Sequence, residues 1–514
     1  VDGTYRTLFG FGASHNGLIY SNNDYNVNIA IRRLTGKRTR VLADGSIDVG
    51  FHDLLFSNQF DFFLKHRGLF ERLRARYAPY LEDYSGAEEE AERHHDDPHA
   101  KRLLRIQAWR ELKIENRSTC PSDLWVRTVL WKMKKNEWAK PRKKPRMIGD
   151  LGVSASLRGF RLTELLKQAQ SSCSIEYLGG EIFFCKTPDP FVLETVFRKL
   201  IDPPGRFYFV YFSDDSCLSI RCGARVDWYN LDISSCDSSH GPSVFETLIN
   251  LMSTDQCVHD MERLVAQCQA PLRVVSCADR RNFVKLKPSR PMLYSGSTIT
   301  TAINNLANIS IGLAIAESSY SGSDDIEAAA QSAGYVVTGC KPLECPEDFQ
   351  FLKHSPVLDD HGFYRPLLNF GVLVRASGAC KGDLPGTKNM GLKERAFRFQ
   401  RGLLRSAYPR AKFAVLQRMQ ETVGNGPYFD NDYFVHKVVV QDDYPEFVVD
   451  EESFRRRYRL DEVQYLDLFQ FASCSYERFM NNEGLTKVLT LDYGLKTTKH
   501  DKSVYNLRDH VQVR

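Results

Sequence analysis

The chain has 514 residues, of which 42% are hydrophobic, 26% charged and 12% aromatic, with 33 Gly and 21 Pro. That is enough chain for about three domains at roughly 100–200 residues each, and it excludes a peptide hormone, a disulfide mini-fold and a disordered or fibrous protein. Lys and Arg number 69 against 64 Asp and Glu, a net charge of +5, so bulk charge does not mark a polyanionic partner and the placement of charge has to.

Thirteen cysteines without a CxxC pair suit free thiols in a reducing compartment. Cys340, Cys345 and His354 lack a fourth ligand for zinc. The longest apolar run, Phe207 to Phe212, is far short of the ~20 residues of a membrane helix. The opening VDGTYR is not followed by the pattern of a signal peptide, so neither a leader nor a transmembrane segment is expected.

In chain order, residues 1–66 alternate short apolar runs with Gly and Asn and read as strands and loops. Apolar spacing predicts helices from about Gly68 to Tyr80 and from His99 to Glu115, separated by the acidic, polar segment GAEEEAERHHDDPH. The stretch 127–146 then holds nine basic residues against the single acid Glu137. At its end Lys144, Arg146 and Ile148 form K-x-R-x-I, which on a strand would aim one row of cations the same way, suited to the phosphates of a nucleoside triphosphate or to a general RNA-contact patch. Trp131 and Trp138 interleave with the cations and suit core packing better than base stacking.

The segment FYFVYFSDDSCLSI reads as a β-hairpin with Asp214 and Asp215 at its tip. Shortly after, RVDWYNLDISSCDSSHGPSVFETLINLM predicts a strand ending near Asp232, a turn, and a helix starting around Gly241-Pro242. Two adjacent strand ends would each present a carboxylate. Acids so close raise one another's pKa unless a divalent cation neutralises them, and Mg²⁺, with Mn²⁺ as a substitute, suits a few carboxylates plus phosphate oxygens. The chemistry that needs such a site is in-line phosphoryl transfer with two metals. Read alone, Asp214-Asp215 is as easily a polar turn.

Further on, MLYSGSTITTAINNLANISIGLAIA breaks at Ser295-Gly296 and continues as a long amphipathic helix with Thr300 and Asn304 one turn apart on one face. Asn304 with Asp237 would read a ribose 2′-hydroxyl, the alternative being an Asn bridging inside a buried helix. IEAAAQSAGYVVTGCKP predicts helix, turn and strand with Lys341 just beyond, and Phe351-Leu352-Lys353 a short aromatic strand. From about Leu392 helix-like segments dominate, which makes the chain α+β with a helical C-terminal third.

These residues resemble the signature motifs of a viral RNA-dependent RNA polymerase over about residues 140–356. Asp232-x4-Asp237 resembles palm motif A, SG-x3-T-x3-N from Ser295 to Asn304 motif B, and Ser213-Asp214-Asp215 the catalytic hairpin of motif C. KPRMI resembles motif F, GYVVTGCK motif D and FLK motif E. Motif C here precedes motif A, a permuted order similar to that of permutotetraviruses and, more distantly, birnaviruses. Ser213 departs from the Gly of the first group and from the Ala-Asp-Asn of the second.

The resemblance implies a right-hand architecture. Residues 1–205 would be N-terminal region and fingers (motif F at 140–148), and 206–245 palm (motif C at 208–220, motif A at 226–245). Then 246–290 would be a fingers insertion, 291–370 palm (motif B at 295–304, motif D at 326–341, motif E at 347–355), and 371–514 a mostly helical thumb, around an antiparallel palm sheet. It implies templated nucleotide addition to an RNA 3′ end. Asp232 and Asp214 would hold both metals, with Asp215 assisting and Lys341 donating a proton to pyrophosphate. Asp237, Ser295, Gly296, Thr300 and Asn304 would meet the nucleotide, and Lys144 and Arg146 its triphosphate. Lys140, Arg142, Lys143 and Lys353 would contact RNA. The implied partners are an RNA template and product, nucleoside triphosphates and, as in the permuted families, a covalently linked primer nucleotide; the implied setting is a replication complex in the host cytoplasm or the virion.

A second acidic pair competes, because Ser321 to Asp325, SGSDD, lies where an unpermuted motif C belongs. It has no flanking strand and reads as a helix N-cap at Ser323 or Asp324. A two-metal nuclease or a non-catalytic RNA-binding replication protein are the rival classes; a reverse transcriptase fits less well with an Asp237–Asn304 ribose reader.

Overall fold

In the computed structural model the described residues are chiefly 20–35, 53–87, 128–134, 143–377, 389–431, 433–473 and 481–494. The expected helix at 99–115, most of the acidic segment before it, Trp138, Lys140 and Arg142 lie outside the described residues.

Two six-stranded sheets organise the first three quarters. One runs, from edge to edge, Val337–Thr338, Arg225–Ile233, Asp215–Cys222, Phe207–Phe212, Gly180–Phe184 and Ile175–Tyr177. Its pairs are antiparallel, as expected, except that Gly180–Phe184 lies parallel to Phe207–Phe212. Two of its strands come from the segment expected to be fingers. The second sheet runs Arg40–Val41, Ile47–Asp48, Phe283–Lys287, Leu272–Val275, Val129–Met133 and Met147–Asp150. It joins the N-terminal region to the 246–290 segment.

FYFVYF is apolar at every position because both faces of its strand are covered. Phe207, Phe209 and Tyr211 enter the largest core with helices Val153–Ser172 and Thr300–Glu317, whereas Tyr208 and Val210 face Leu193, Phe197, Phe349 and Phe351. Truncating such a buried ring to Ala costs about 3–5 kcal/mol. The C-terminal third packs around its own core, from Val357 to Leu489, built mainly of helices.

Three expectations are corrected. Residues 1–66 are not only strands and loops: Asp24–Thr35 and Asp53–Lys65 are helices. Asp24 in the first turn of one accepts from Ser276 Oγ at 2.7 Å and from the Cys277 N–H at 2.7 Å, and the other buries Phe56, Gln59, Phe62 and Phe63 at helical spacing. The Thr300–Glu317 helix is not amphipathic, since every residue from Ala302 to Ala316 is buried between the sheet and its neighbouring helices. Leu352-Lys353 is a turn rather than a strand. Phe351 and His354 exchange both backbone hydrogen bonds across it, and φ is +50° at Leu352 and +63° at Lys353.

Among the described residues, no helix is long and apolar enough to cross a membrane.

Candidate active site

The hairpin forms as the sequence predicts. Phe212 pairs with Asp215 across a two-residue turn of Ser213 and Asp214, and Asp215 in turn pairs with Asp232 on the next strand. Such a tight turn needs positive φ, and Ser213 supplies +52° without being Gly. A left-handed non-Gly residue costs about 1–2 kcal/mol, so the turn has to be held from outside.

Three asparagines of the Thr300–Glu317 helix hold it. The Asn305 Oδ1 accepts from the Ser213 N–H at 2.9 Å, the Asn308 Nδ2 donates to the Ser213 carbonyl, and the Asn304 Nδ2 donates to Ser213 Oγ at 3.1 Å. Every polar group of Ser213 is thereby engaged by one face of a buried helix. Asn305 also donates to Gln170 Oε1 at 2.9 Å. The residues 304, 305 and 308 form a polar stripe in an otherwise apolar helix, and the buried turn at Ser213 is the polar target that accounts for it.

Asn304 does more. Its Nδ2 lies 3.2 Å from Asp237 Oδ1, and its Oδ1 is 2.7 Å from His240 Nε2 and 3.2 Å from Cys236 Sγ. Thr300, one turn earlier, donates to the Ser297 carbonyl at 2.8 Å. Gly296 adopts φ +99°, and a Cβ there would stand 2.5 Å from the Gly149 carbonyl. The Ser295 carbonyl accepts from the Gly149 N–H at 2.8 Å, so the Ser-Gly break is stitched to the edge strand of the second sheet.

These parts open on one cavity of about 920 Å³. Asp214, Asp232, Asp237, Ser295, Thr300, Asn304, Lys143, Lys144 and Arg146 all line it, and so do residues not expected there: Tyr20, Trp131, Lys134, Glu137 and Thr338. Acids and cations thus share the lining of one cavity. Lys144 and Arg146 lie just before the strand Met147–Asp150 rather than on it. Arg146 is bound by Glu137, whose other oxygen accepts from the Arg146 N–H at 3.1 Å. Burial and then the Arg146 charge hold the Lys134 ammonium below its usual range. Trp131 is buried in the core beneath the cavity, as expected for packing.

Asp215, Gly296, Lys341 and Lys353 are not on the lining. Asp215 turns its Oδ2 to the Leu352 N–H at 3.1 Å. Burial pushes its carboxyl up to about 7; the Leu352 hydrogen bond lowers it, and the Asp214 and Asp232 charges raise it further. Lys353 stands 5.5 Å over the Tyr493 ring, its ammonium lowered by burial and by Arg375 and raised by Asp215 and Asp492. Lys341 is exposed, three residues beyond Thr338, which pairs with Asp232.

Among the described residues, no three His, Cys, Asp or Glu side chains gather as a metal site. The expected three-acid cluster is therefore two exposed carboxylates, Asp214 and Asp232, on the cavity with Asp215 committed behind them. That still fits Mg²⁺, which is commonly held by one or two carboxylates with water and substrate phosphate completing its octahedron. The zinc reading of Cys340, Cys345 and His354 finds no support. His354 Nδ1 is 2.7 Å from the Leu352 carbonyl.

The competing acidic pair opens a helix, Ser323–Ser332, with its N-cap at Gly322, one residue earlier than expected. Asp325 accepts from the Ser321 N–H at 2.5 Å and from the Gly322 N–H at 3.1 Å, which accounts for the acid locally.

No family model matches this chain, and no curated protein does. Among solved structures it is similar to the VP1–VP3 complex of a birnavirus, with a TM-score of 0.40 and 11% identity over 75% of this chain and 57% of that one. It is also similar to the RNA polymerase VP1 from Infectious Pancreatic Necrosis Virus, with a TM-score of 0.38 and 11% identity over 75% and 56%. The chain thus spans little more than half the length of these proteins.

Proposed function

We propose that this chain is a viral RNA-dependent RNA polymerase with the permuted order of palm motifs, extending an RNA 3′ end by templated nucleotidyl transfer. The observation that carries the reading is the cavity itself, which Asp214, Asp232, Asp237 and Asn304 line together with Lys144 and Arg146. Acids for a cation, bases for a triphosphate and an Asp–Asn pair for a sugar hydroxyl are what the reaction requires, in one enclosure.

Asp214 and Asp232 would hold Mg²⁺ or Mn²⁺, which when bound supplies charge neutralisation at the triphosphate and a more acidic 3′-hydroxyl. Lys144 and Arg146 would bind the β- and γ-phosphates, Arg146 with its charge partly met by Glu137 until the substrate arrives. Asp237, held at Oδ1 by the Asn304 NH₂ and lining the cavity, would accept from a 2′-hydroxyl. Thr300 lines the same cavity. Lys353, beside Asp215, would meet the primer backbone. Lys341, three residues beyond the Thr338 that pairs with Asp232, would donate a proton to the leaving pyrophosphate.

The permutation is compatible with this chemistry because a metal site depends on where strand ends lie, not on the order in which the chain visits them. Asp215 reaches the register position opposite Asp232 by the hairpin that precedes it.

Primer extension on an RNA template with Mg²⁺ tests the proposal. The wild-type chain should lengthen the primer nucleotide by nucleotide, and Asp214→Ala and Asp232→Ala should abolish extension. Shortened products would favour a nuclease. Salt-dependent RNA binding without turnover would favour a non-catalytic binding protein.

A further inference from the structure

Behind the cavity wall lies a chain of buried polar side chains that none of the expected roles uses. His240 is buried at 1% exposure, with Nε2 2.7 Å from Asn304 Oδ1 and Nδ1 3.0 Å from the Tyr335 hydroxyl. The Asn304 amide has its oxygen toward His240 and Cys236 and its NH₂ toward Asp237 and Ser213. Reversing it would set its oxygen against the Asp237 carboxylate.

The protons follow from this arrangement. A carboxamide oxygen only accepts, so His240 Nε2 must carry a hydrogen. A neutral imidazole then has a bare Nδ1, which accepts from the Tyr335 O–H. Burial lowers the His240 pKa to about 4, with the Asn304 bond acting against it, so the ring is neutral near pH 7. Tyr335, at 0% exposure, stays protonated because burial raises its pKa well above the usual value.

Gln59 braces both members from the Asp53–Lys65 helix. Its Nε2 donates to the Ser239 carbonyl at 2.7 Å and to the Gly334 carbonyl at 3.0 Å, and its Oε1 accepts from the Gly241 N–H at 2.8 Å. It therefore grips the backbone on either side of His240 and immediately before Tyr335. Gly334, at φ +91°, leaves room for it: a Cβ there would stand 2.2 Å from Gln59 Cγ.

We propose that Gln59, Tyr335 and His240 are positioning residues that lock the Asn304 amide in the orientation that holds Asp237, so that a helix of the N-terminal region helps set sugar selection in the cavity. The inference rests on the polymerase reading of the cavity and deepens it. None of the three touches the nucleotide. A fixed Asn304 NH₂ holds the Asp237 carboxylate at one place on the cavity; an Asn304 free to rotate would offer either end and blur the choice between ribose and deoxyribose.

The test is the ratio of kcat/KM for ribo- over deoxyribonucleoside triphosphates in primer extension, for the full chain and for Tyr335→Phe, His240→Leu, His240→Gln and Gln59→Met. Loss of one aligning hydrogen bond should lower the ratio by roughly three- to tenfold in Tyr335→Phe, His240→Leu and Gln59→Met. His240→Gln, which keeps a donor where Nε2 stands, should restore most of it. A merely structural role would reduce both substrates alike, and an unchanged ratio in the folded Tyr335→Phe protein overturns the proposal. Independently of activity, ¹⁵N resonances of labelled histidine should show His240 as the Nε2–H tautomer, and an Nδ1–H tautomer overturns it. Failure of the wild-type chain to extend any primer would sink the polymerase reading instead, leaving the tautomer to decide whether the positioning chain exists.

Discussion

Asp215 and Asp232 are register partners in an antiparallel ladder, and the turn that precedes Asp215 carries Asp214 onto the same cavity that Asp232 lines. The relationship places three acids at one end of one sheet, although the hairpin comes before the strand it serves. Its consequences can be checked one at a time.

The two acidic pairs should behave oppositely. Asp214→Ala and Asp232→Ala should reduce nucleotide incorporation by at least about a thousandfold, in line with losses at residues that act directly on the transferring group. Asp324→Ala with Asp325→Ala should leave incorporation within about twofold and lower Tm slightly, since Asp325 only caps a helix. Gel-resolved extension and a thermal melt of the same preparations suffice.

Ser213 should depend on its asparagines. Asn305→Ala strips a buried partner from the Ser213 N–H and from Gln170, which should cost about 1–3 kcal/mol of stability. It should also raise the Mg²⁺ concentration at half-maximal extension, because the turn bearing Asp214 is no longer fixed. Urea unfolding and a Mg²⁺ titration measure the two effects separately.

Gly296 should not tolerate a side chain. Gly296→Ala meets both an unfavourable φ and the Gly149 carbonyl, so the Ser295–Gly149 hydrogen bond should be lost. Extension should fall through KM for the nucleotide more than through kcat, as steady-state kinetics would show.

Buried neutral histidines should make the fold sensitive to acid. Burial lowers the pKa of both His240 and His354 to about 4 from 6.5. A base with a depressed folded pKa contributes stability above its unfolded pKa that is lost as pH falls toward the folded one. Stability should therefore drop between pH 6.5 and 4, by roughly 2–3 kcal/mol for each histidine, and His240→Gln should remove its share. Denaturant midpoints across that range test this.

The elements that sequence made legible were those whose local pattern and tertiary role agree. The FYFVYF-SDD hairpin, the strand ending at Asp232, the Pro242 helix start and the Gly68–Tyr80 helix all formed close to where spacing and turn chemistry put them. The Asp53–Lys65 helix was hidden because neighbouring Gly and Asn residues dominate its surroundings, while its apolar residues and Gln59 are explained only by what they pack against. The burial of the Thr300–Glu317 helix on every side was masked by Asn304, Asn305 and Asn308, which look like a solvent-facing stripe and instead bind Ser213. Leu352-Lys353 was read as strand because neither residue favours the left-handed conformation it adopts; tertiary contacts, including the Leu352 N–H to Asp215, hold it there. Lys341 was assigned by position after a strand; that strand ends at Thr338, the register partner of Asp232, and Lys341 follows it exposed and off the cavity lining.

The most direct test of the account is an anomalous-scattering map of crystals soaked with Mn²⁺ and a non-hydrolysable nucleoside triphosphate. It should show metal within ligand distance of both Asp214 and Asp232, with the triphosphate against Lys144 and Arg146. Metal bound at Asp324 and Asp325 instead, or at neither Asp214 nor Asp232, would contradict it.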